Sequence, residues 1–186
     1  MIARTTDIDG LIVIEPKIHA DQRGYFFESF HLENYIKANV PSVFIQDNES
    51  KSSRGVVRGL HYQLEPYAQA KLVRVIVGEV YDVAVDLRKG SPTFGKWFGI
   101  FLNETNKIQL YIPEGFAHGF SVISETAIFS YKCSKYYNAA AERGIRFNDS
   151  YLGIDWNLNE GEQVVSEKDK KAPAFADADM NFIFQG

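Results

Sequence analysis

The sequence has little of what marks secreted, membrane or disulfide-stabilised proteins. Cys133 is the one cysteine among 186 residues, so an internal disulfide is excluded and a reducing compartment is indicated. No apolar run approaches the roughly 20 residues that a membrane span needs, and the first ten residues hold no apolar leader core. We therefore expect a cytoplasmic protein with no membrane partner.

Long runs of one charge are also missing. The formal net charge is −4 and the 20 basic residues are scattered, which disfavours nucleic acid as a partner but leaves room for a local arginine cluster that binds one anionic ligand. No G-x-G-x-x-G, P-loop, G-x-S-x-G or C-x-x-C motif occurs. Dinucleotide-binding, P-loop and serine-hydrolase functions therefore lack support.

The sequence does contain ample material for a core. It is 45% hydrophobic and 14% aromatic, without a repeat or a low-complexity linker, so we expect one folded domain over residues 1–186.

Apolar residues alternate with polar ones in most of the chain. In "EVYDVAVDLR", Tyr81, Val83 and Val85 alternate with Asp82, Ala84 and Asp86, which is the period of a strand. Similar short runs separated by turn residues cover 11–15, 25–30, 43–47, 55–63, 71–77, 97–102, 108–113, 119–123 and 127–132. Many short strands at this spacing predict an all-β sandwich, jelly roll or barrel.

Helical spacing is scarce. Leu32, Tyr35 and Ile36 predict one short helix within 31–39, and "SEKDKK" from Ser166 predicts a second that ends before Pro173. We assign no element to residues 172–186.

The stretch "GVVRGLHYQ" places Arg58 and His61 in a strand that otherwise suits a core. On a regular strand these two side chains would face opposite sides, but Gly59 between them is typical of a bulge that shifts the register by one. With a bulge, both enter one cavity. The alternative is an arginine at the sheet edge and a hydrogen-bonded core histidine.

A second stretch, "IPEGFAHGF", carries Pro113, Gly115 and His118 in the spacing P-x-G-x-x-H. This pattern resembles the second signature of the cupin jelly rolls, in which a tight turn delivers a histidine that often binds a metal. Here Gln63 stands where the second histidine of the metal site is expected, and Tyr67 where the acid is expected. Two histidines alone make a poor metal site, so we expect none.

A cavity with two histidines and no metal suits proton transfer at carbon instead. Lys71 has the charge to stabilise an enolate oxygen and Tyr131 has a proton to return, although a solvated lysine and a core tyrosine are the alternatives. Asp169 suits a carboxylate partner of His61. It also fits an S-x-x-D helix-capping pattern with Ser166, and spacing does not separate the two interpretations.

Polar residues also recur near the amino terminus. "DQRGYFFES" offers Arg23, Phe26 and Glu28, and "FIQDNES" offers Gln46 and Asn48 with the same strand parity. Such residues either line a ligand cavity or face solvent on a one-sided sheet.

Taken in order, these segments resemble the dTDP-4-dehydrorhamnose 3,5-epimerase family. The matching stretches run from about residue 10 to 173 and include "RGLHYQ", "QAKLVRV", "SPTFGKW", "GFAHGF" and "SEKD". The resemblance implies a cofactor-free cupin jelly roll with short peripheral helices. It also implies a homodimer that acts on a nucleotide sugar, dTDP-4-dehydro-6-deoxy-glucose (dTDP-4-keto-6-deoxyglucose), on the way to rhamnose.

The resemblance also implies roles for single residues. His61 would remove protons from carbons 3 and 5, Asp169 would support it, Lys71 would stabilise the enolate oxygen, and Tyr131 would return a proton on the opposite face. The residues implied to bind the nucleotide sugar are Arg23, Phe26, Glu28, Gln46, Asn48, Arg58, His118, Glu142 and, as a further candidate, Lys168. Tyr137 would stack on thymine, with Tyr136 as its rival.

Three alternatives stay open at this point. Relatives on the same scaffold epimerise carbon 3 alone or use other nucleotide 4-keto sugars. A metal-dependent cupin and a non-catalytic nucleotide-sugar-binding cupin are the other two.

Overall fold

A computed structural model describes residues 1–40, 43–159 and 161–185. Within these ranges the strands are β1 Ile2–Thr5, β2 Ile12–Glu15, β3 His19–Asp21, β4 Gly24–Phe26, β5 Gln46–Ser53, β6 Val56–Gln63, β7 Lys71–Val77, β8 Glu79–Asp86, β9 Trp97–Asn103, β10 Gln109–Ile112, β11 Phe116–Val122, β12 Thr126–Cys133, β13 Glu142–Gly144 and β14 Val164–Val165. The α-helices are α1 Leu32–Lys37 and α2 Glu167–Lys170, and a 3-10 turn covers Phe175–Asp177.

Two large sheets face each other. The first has the strand order β1-β2-β10-β7-β12-β5, and the second has the order β13-β6-β11-β8-β9, with β14 added parallel to β6. Strands distant in sequence lie side by side, as in β10 between β2 and β7, which is the crossing connectivity of a jelly roll. The predicted all-β jelly-roll fold is confirmed.

The main core lies between the two sheets. Val73, Leu110 and Phe129 of the first sheet pack against the second sheet's Leu102 and Phe120, all nearly inaccessible to solvent. Alternating side chains of the two inner faces thus bury the apolar half of each strand.

The outer face of the second sheet is covered as well. Val83 and Val85 of β8 point outward into a second apolar cluster with Trp156, Phe175 and Phe182. Residues 172–185, to which the sequence assigned no element, thus close one face of the fold, while Gly186 lies outside the described residues. Helix α1 packs Tyr35 on the outer face of the first sheet.

Both predicted helices are confirmed, but several strand bounds differ from the prediction. The stretch 25–30 is extended only up to Phe26, and β5 begins at Gln46 and runs through the polar sequence "QDNESKSS". β1, β3, β13 and β14 were missed. β11 begins at Phe116, so His118 lies within a strand and the turn before it is confined to 113–115. Among the described residues, no helix has the length and apolarity that a membrane crossing requires.

Candidate active site

A bulge in β6 turns Arg58 and His61 towards the same space. β11 pairs His118 with His61 but Phe120 with Arg58, so two steps along β11 correspond to three along β6. Gly59 has a φ of 122°, and a Cβ placed on it would lie 2.6 Å from the Cα of Gly119. Only glycine permits this approach, and the bulge predicted from "RGLH" is confirmed.

His61 is paired with a carboxylate from the far end of the chain. Its Nε2 atom lies 2.7 Å from Oδ1 of Asp169, which is buried at the start of α2. Burial by itself would raise the pKa of Asp169, but the hydrogen bond and charge of His61, with the N–H of Gly59, hold that pKa below its ordinary value. An ionised carboxylate only accepts hydrogen bonds, so Nε2 of His61 carries the proton and Nδ1 is left free to take one.

The two interpretations of "SEKD" both hold. Oγ of Ser166 accepts a hydrogen bond of 3.1 Å from the backbone N–H of Asp169, which caps α2. The cap fixes the backbone of Asp169 while its carboxylate reaches His61.

His118 has a buried partner that the sequence analysis missed. Its Nε2 atom lies 2.9 Å from Oδ2 of Asp82, which is inaccessible to solvent. Burial lowers the pKa of His118, and the nearby positive groups Lys71 and His61 lower it further. The negative charge and hydrogen bond of Asp82 act in the opposite direction but do not outweigh burial. The alternation in "EVYDVAVD" contains this carboxylate but does not tell which face of β8 points inward.

Lys71 and Tyr131 approach the same space from the first sheet. They lie on the neighbouring strands β7 and β12, with Nζ of Lys71 5.9 Å from the centre of the Tyr131 ring. Burial lowers the pKa of Lys71, and no carboxylate of the described residues forms an ion pair with it. Burial, with a contribution from Cys133, raises the pKa of Tyr131, so its hydroxyl keeps its proton at neutral pH.

Polar side chains form the rim of this space. Gln46 accepts a hydrogen bond of 2.9 Å from the backbone N–H of Tyr137, and Asn48 follows on the same face of β5. Glu142 Oε2 accepts hydrogen bonds from the Tyr137 hydroxyl (2.9 Å) and from Lys168 Nζ (2.6 Å). Burial would raise the pKa of Glu142, but these two partners hold it below its ordinary value.

These groups line two neighbouring cavities that share three residues. The outer cavity, of about 350 Å³, is lined by Gln46, Asn48, His61, Tyr62, Gln63, Gln69, Lys71, Tyr131, Tyr137 and Glu142. The inner cavity, of about 130 Å³, shares His61, Lys71 and Tyr131 with it and adds Arg58 and His118. Tyr137 lines the outer cavity, whereas Tyr136 does not. Lys168 stands at the rim, with 64% of its side chain exposed.

Three predicted site residues lie elsewhere in the chain. Arg23 and Phe26 belong to the β3–β4 hairpin and Glu28 follows it, and none of the three lines either cavity. Phe26 is 68% exposed, and Arg23 is paired with Asp21 of its own hairpin. The structure therefore does not bring these residues to His61 within one chain. The hairpin instead contacts the loop before β10, where Nζ of Lys107 donates a hydrogen bond of 2.9 Å to the hydroxyl of Tyr25.

The donor set does not favour a metal. Among the described residues, no group of three or more His, Cys, Asp and Glu side chains is placed to hold a metal ion. Gln63, which stands in the place of a cupin ligand, instead donates to the carbonyl oxygen of Tyr67 and accepts from the N–H of Asn138, both at 2.7 Å. It thus has a structural role in holding the β12–β13 loop.

Comparisons with known proteins agree with this geometry. Residues 5–177 match the family model described as dTDP-4-dehydrorhamnose 3,5-epimerase. A protein of that name from Shigella flexneri is 53% identical over 175 residues, which cover 94% of this chain and 96% of the relative.

Solved structures superpose closely on this fold. The crystal structure of dTDP-4-dehydrorhamnose 3,5-epimerase from Elizabethkingia anophelis NUHP1 has a TM-score of 0.91 at 50% identity, covering 95% of this chain and 97% of that one. The dTDP-6-deoxy-D-glucose-3,5-epimerase of Legionella pneumophila Philadelphia 1, in complex with dTDP-4-keto-L-rhamnose, has a TM-score of 0.95 at 47% identity, covering 100% and 99%. With its fold, its paired His61 and Asp169 and these matches over nearly its whole length, the chain belongs to the dTDP-4-dehydrorhamnose 3,5-epimerase family.

Proposed function

We propose that this protein is a cofactor-independent epimerase that converts dTDP-4-dehydro-6-deoxy-D-glucose to dTDP-4-dehydro-L-rhamnose by proton removal and return at carbons 3 and 5. The observation that carries the proposal is the placement of base and acid. His61, supported by Asp169, comes from the second sheet, and Tyr131 comes from the first, with one cavity between them. Inversion at carbon requires that a proton leaves one face and arrives at the other.

His61 is the proposed base. The ketone at carbon 4 acidifies the protons on carbons 3 and 5, and Nδ1 of His61 accepts each in turn. Asp169, kept ionised by its lowered pKa, stabilises the imidazolium that forms and fixes the ring orientation.

Lys71 is the proposed partner of the developing enolate. Its ammonium has no carboxylate partner among the described residues, and burial lowers its pKa. Negative charge on the oxygen of carbon 4 supplies the missing counter-charge during the reaction, so the interaction is stronger in the transition state than in the ground state.

Tyr131 is the proposed acid. Its raised pKa keeps the hydroxyl protonated, so it is ready to deliver a proton to the face opposite His61. The nucleotide extends outward, with the thymine on Tyr137 at the outer cavity, aided by Gln46, Asn48, Glu142 and Lys168. Arg58 and His118 bind the sugar end of the substrate in the inner cavity.

Arg23, Phe26 and Glu28 take part only if a second copy supplies them. We therefore propose a homodimer in which the exposed hairpin of one subunit completes the cavity of its partner. Mixing His61→Ala chains with Arg23→Ala chains tests this. In the swapped arrangement, mixed dimers hold one intact site and regain activity. If both residues act within one chain, no intact site forms and activity stays at the level of the separate variants.

The test of function is incubation of chelator-treated protein with dTDP-4-dehydro-6-deoxy-D-glucose in heavy water, followed by proton NMR and mass spectrometry. Deuterium at carbons 3 and 5 with an inverted product is the expected result, and His61→Ala should abolish both. Label at carbon 3 alone would make the protein a monoepimerase. Binding of substrate without any label would make it a binding protein, and label that needs added metal would restore the metal-dependent alternative.

A further inference from the structure

The inner face of β5 carries four polar side chains in alternation: Gln46, Asn48, Ser50 and Ser52. Three of them have partners within the chain. Gln46 donates to Oδ1 of Asn48 at 3.1 Å, Asn48 donates to Sγ of Cys133 at 3.5 Å, and Ser52 accepts from Nε of Arg58 at 3.0 Å.

Ser50 is the exception. Its Oγ atom is buried and has no hydrogen-bond partner among the described residues. A buried hydroxyl that has given up water without gaining a partner costs free energy, so such a group calls for a partner outside the chain.

The position of Ser50 limits what that partner is. It lines the inner cavity beside Arg58, His61, Lys71 and His118, and its β5 backbone position pairs with Phe129. At about 130 Å³, this space is too small for a nucleotide but suits part of a sugar ring. It adjoins the groups that would act on carbons 3 to 5, whereas the exposed Tyr137 stands at the outer cavity.

We propose that Ser50 is a specificity residue that hydrogen-bonds a ring hydroxyl of the bound sugar, on carbon 2 or carbon 3. This inference rests on the proposed function, in which Lys71 already faces the oxygen of carbon 4. Those two hydroxyls are then the remaining hydrogen-bonding groups on the ring carbons near the reaction, and the serine hydroxyl can donate to either or accept from either. A site built to bond a hydroxyl discriminates against a sugar that lacks it.

A thermodynamic cycle tests the proposal. Dissociation constants are measured by calorimetry for wild type and Ser50→Ala with dTDP, dTDP-glucose, and its 2-deoxy and 3-deoxy analogues. We expect Ser50→Ala to weaken the binding of dTDP-glucose by about 3- to 10-fold, the effect of losing one neutral hydrogen bond, and to leave the affinity for dTDP unchanged. For one of the two deoxy analogues, wild type and variant should then bind equally.

Stability separates a binding role from a structural one. Ser50→Ala removes a hydroxyl that has no hydrogen-bond partner in the described part of the chain, so the melting temperature of the variant should equal or exceed that of wild type. The matched control is Ser53→Ala, on the same strand but facing solvent, which should change neither binding nor stability.

Each remaining outcome overturns the inference. If removing either sugar hydroxyl weakens binding by the same factor in wild type and in Ser50→Ala, the hydroxyl of Ser50 bonds neither of them. If Ser50→Ala weakens the binding of dTDP as much as that of dTDP-glucose, the substitution disturbs the whole site. Suppose that wild type turns over the natural substrate but that the effect of Ser50→Ala on binding does not depend on either sugar hydroxyl. That result rejects this inference and leaves the proposed function intact. If wild type binds no dTDP-sugar, the proposed function is rejected as well.

Discussion

Nε2 of His61 and Oδ1 of Asp169 lie 2.7 Å apart although 108 residues separate them in the chain. β6 supplies the histidine from within the second sheet, and α2 supplies the carboxylate from the segment that follows β14, which itself pairs with β6. The short parallel pairing of β14 with β6 therefore brings the helix that carries Asp169 next to β6, the strand on which His61 lies.

Replacing Asp169 with Asn should lower kcat by about 10²- to 10⁴-fold, the range of a general base that loses its support. The neutral amide cannot stabilise the imidazolium, and its N–H₂ group can hold the wrong tautomer of His61. Steady-state kinetics, with dTDP affinity measured alongside, checks this. A kcat within a few-fold of wild type would show that His61 needs no carboxylate.

Replacing Tyr131 with Phe should separate proton removal from inversion. His61 and Lys71 remain, so solvent deuterium should still enter the substrate, while the inverted product should fall by about 10²-fold or more because the opposite face has lost its acid. Heavy-water exchange and product analysis on the same sample provide the measurement. Unchanged product formation would remove Tyr131 from the acid role.

Replacing Lys71 with Met should lower kcat/KM by about 10²- to 10³-fold, as when one oxyanion donor is lost, and should stabilise the fold. Because burial lowers the pKa of Lys71, the native state binds fewer protons than the unfolded state between that pKa and the ordinary value of 10.5. The stability of wild type therefore rises with pH across this window.

The Lys71→Met variant has no such group, so its stability should rise less over the same window. Urea unfolding at fixed protein concentration, from neutral pH to about pH 10, measures both slopes. Identical slopes would mean that the ammonium of Lys71 is as well solvated in the native state as in the unfolded one.

Replacing Gly59 with Ala should destabilise far more than replacing Gly24, although both glycines have a φ of 122°. A Cβ on Gly24 meets no atom within 4 Å, so its cost is the backbone strain alone, about 1 to 3 kcal/mol. A Cβ on Gly59 would lie 2.6 Å from Cα of Gly119 and 2.8 Å from the carbonyl oxygen of His118.

Thermal unfolding of the two variants compares the cost of backbone strain alone, at Gly24, with the cost of strain plus the steric clash at Gly59. Equal losses would show that β6 and β11 separate at little cost and that the close approach of Gly59 to Gly119 does not hold the bulge.

Local patterns were enough to predict much of this protein. The period of two along β7, β8 and β12 predicted the sheets, because alternation follows directly from strand geometry. Gly59 predicted the bulge, because a bulge often needs a backbone conformation that only glycine adopts without steric strain. Ser166 predicted the start of α2, because a hydroxyl at that position satisfies an N–H that the helix leaves free.

The inner faces of the strands could not be read in the same way. β5 is polar on both sides, since its inner face borders a cavity instead of a core, and alternation of hydrophobicity is absent there. Asp82 alternates with apolar residues that are also buried, because side chains from residues 145–158 and 175–182 cover the outer face of β8. Only the packing of these side chains decides which face of β8 points towards the interior.

The sequence by itself therefore determined the class of fold, the bulge and the identity of the groups able to move protons, since each depends on a few neighbouring residues. The tertiary structure decided which groups meet. It joined Asp169 to His61 and Asp82 to His118, and it left Oγ of Ser50 without a hydrogen-bond partner among the described residues. It also placed Arg23, Phe26 and Glu28 outside their own chain's cavity. Those relations depend on how strands far apart in sequence pair and pack, and no local pattern encodes a distance between them.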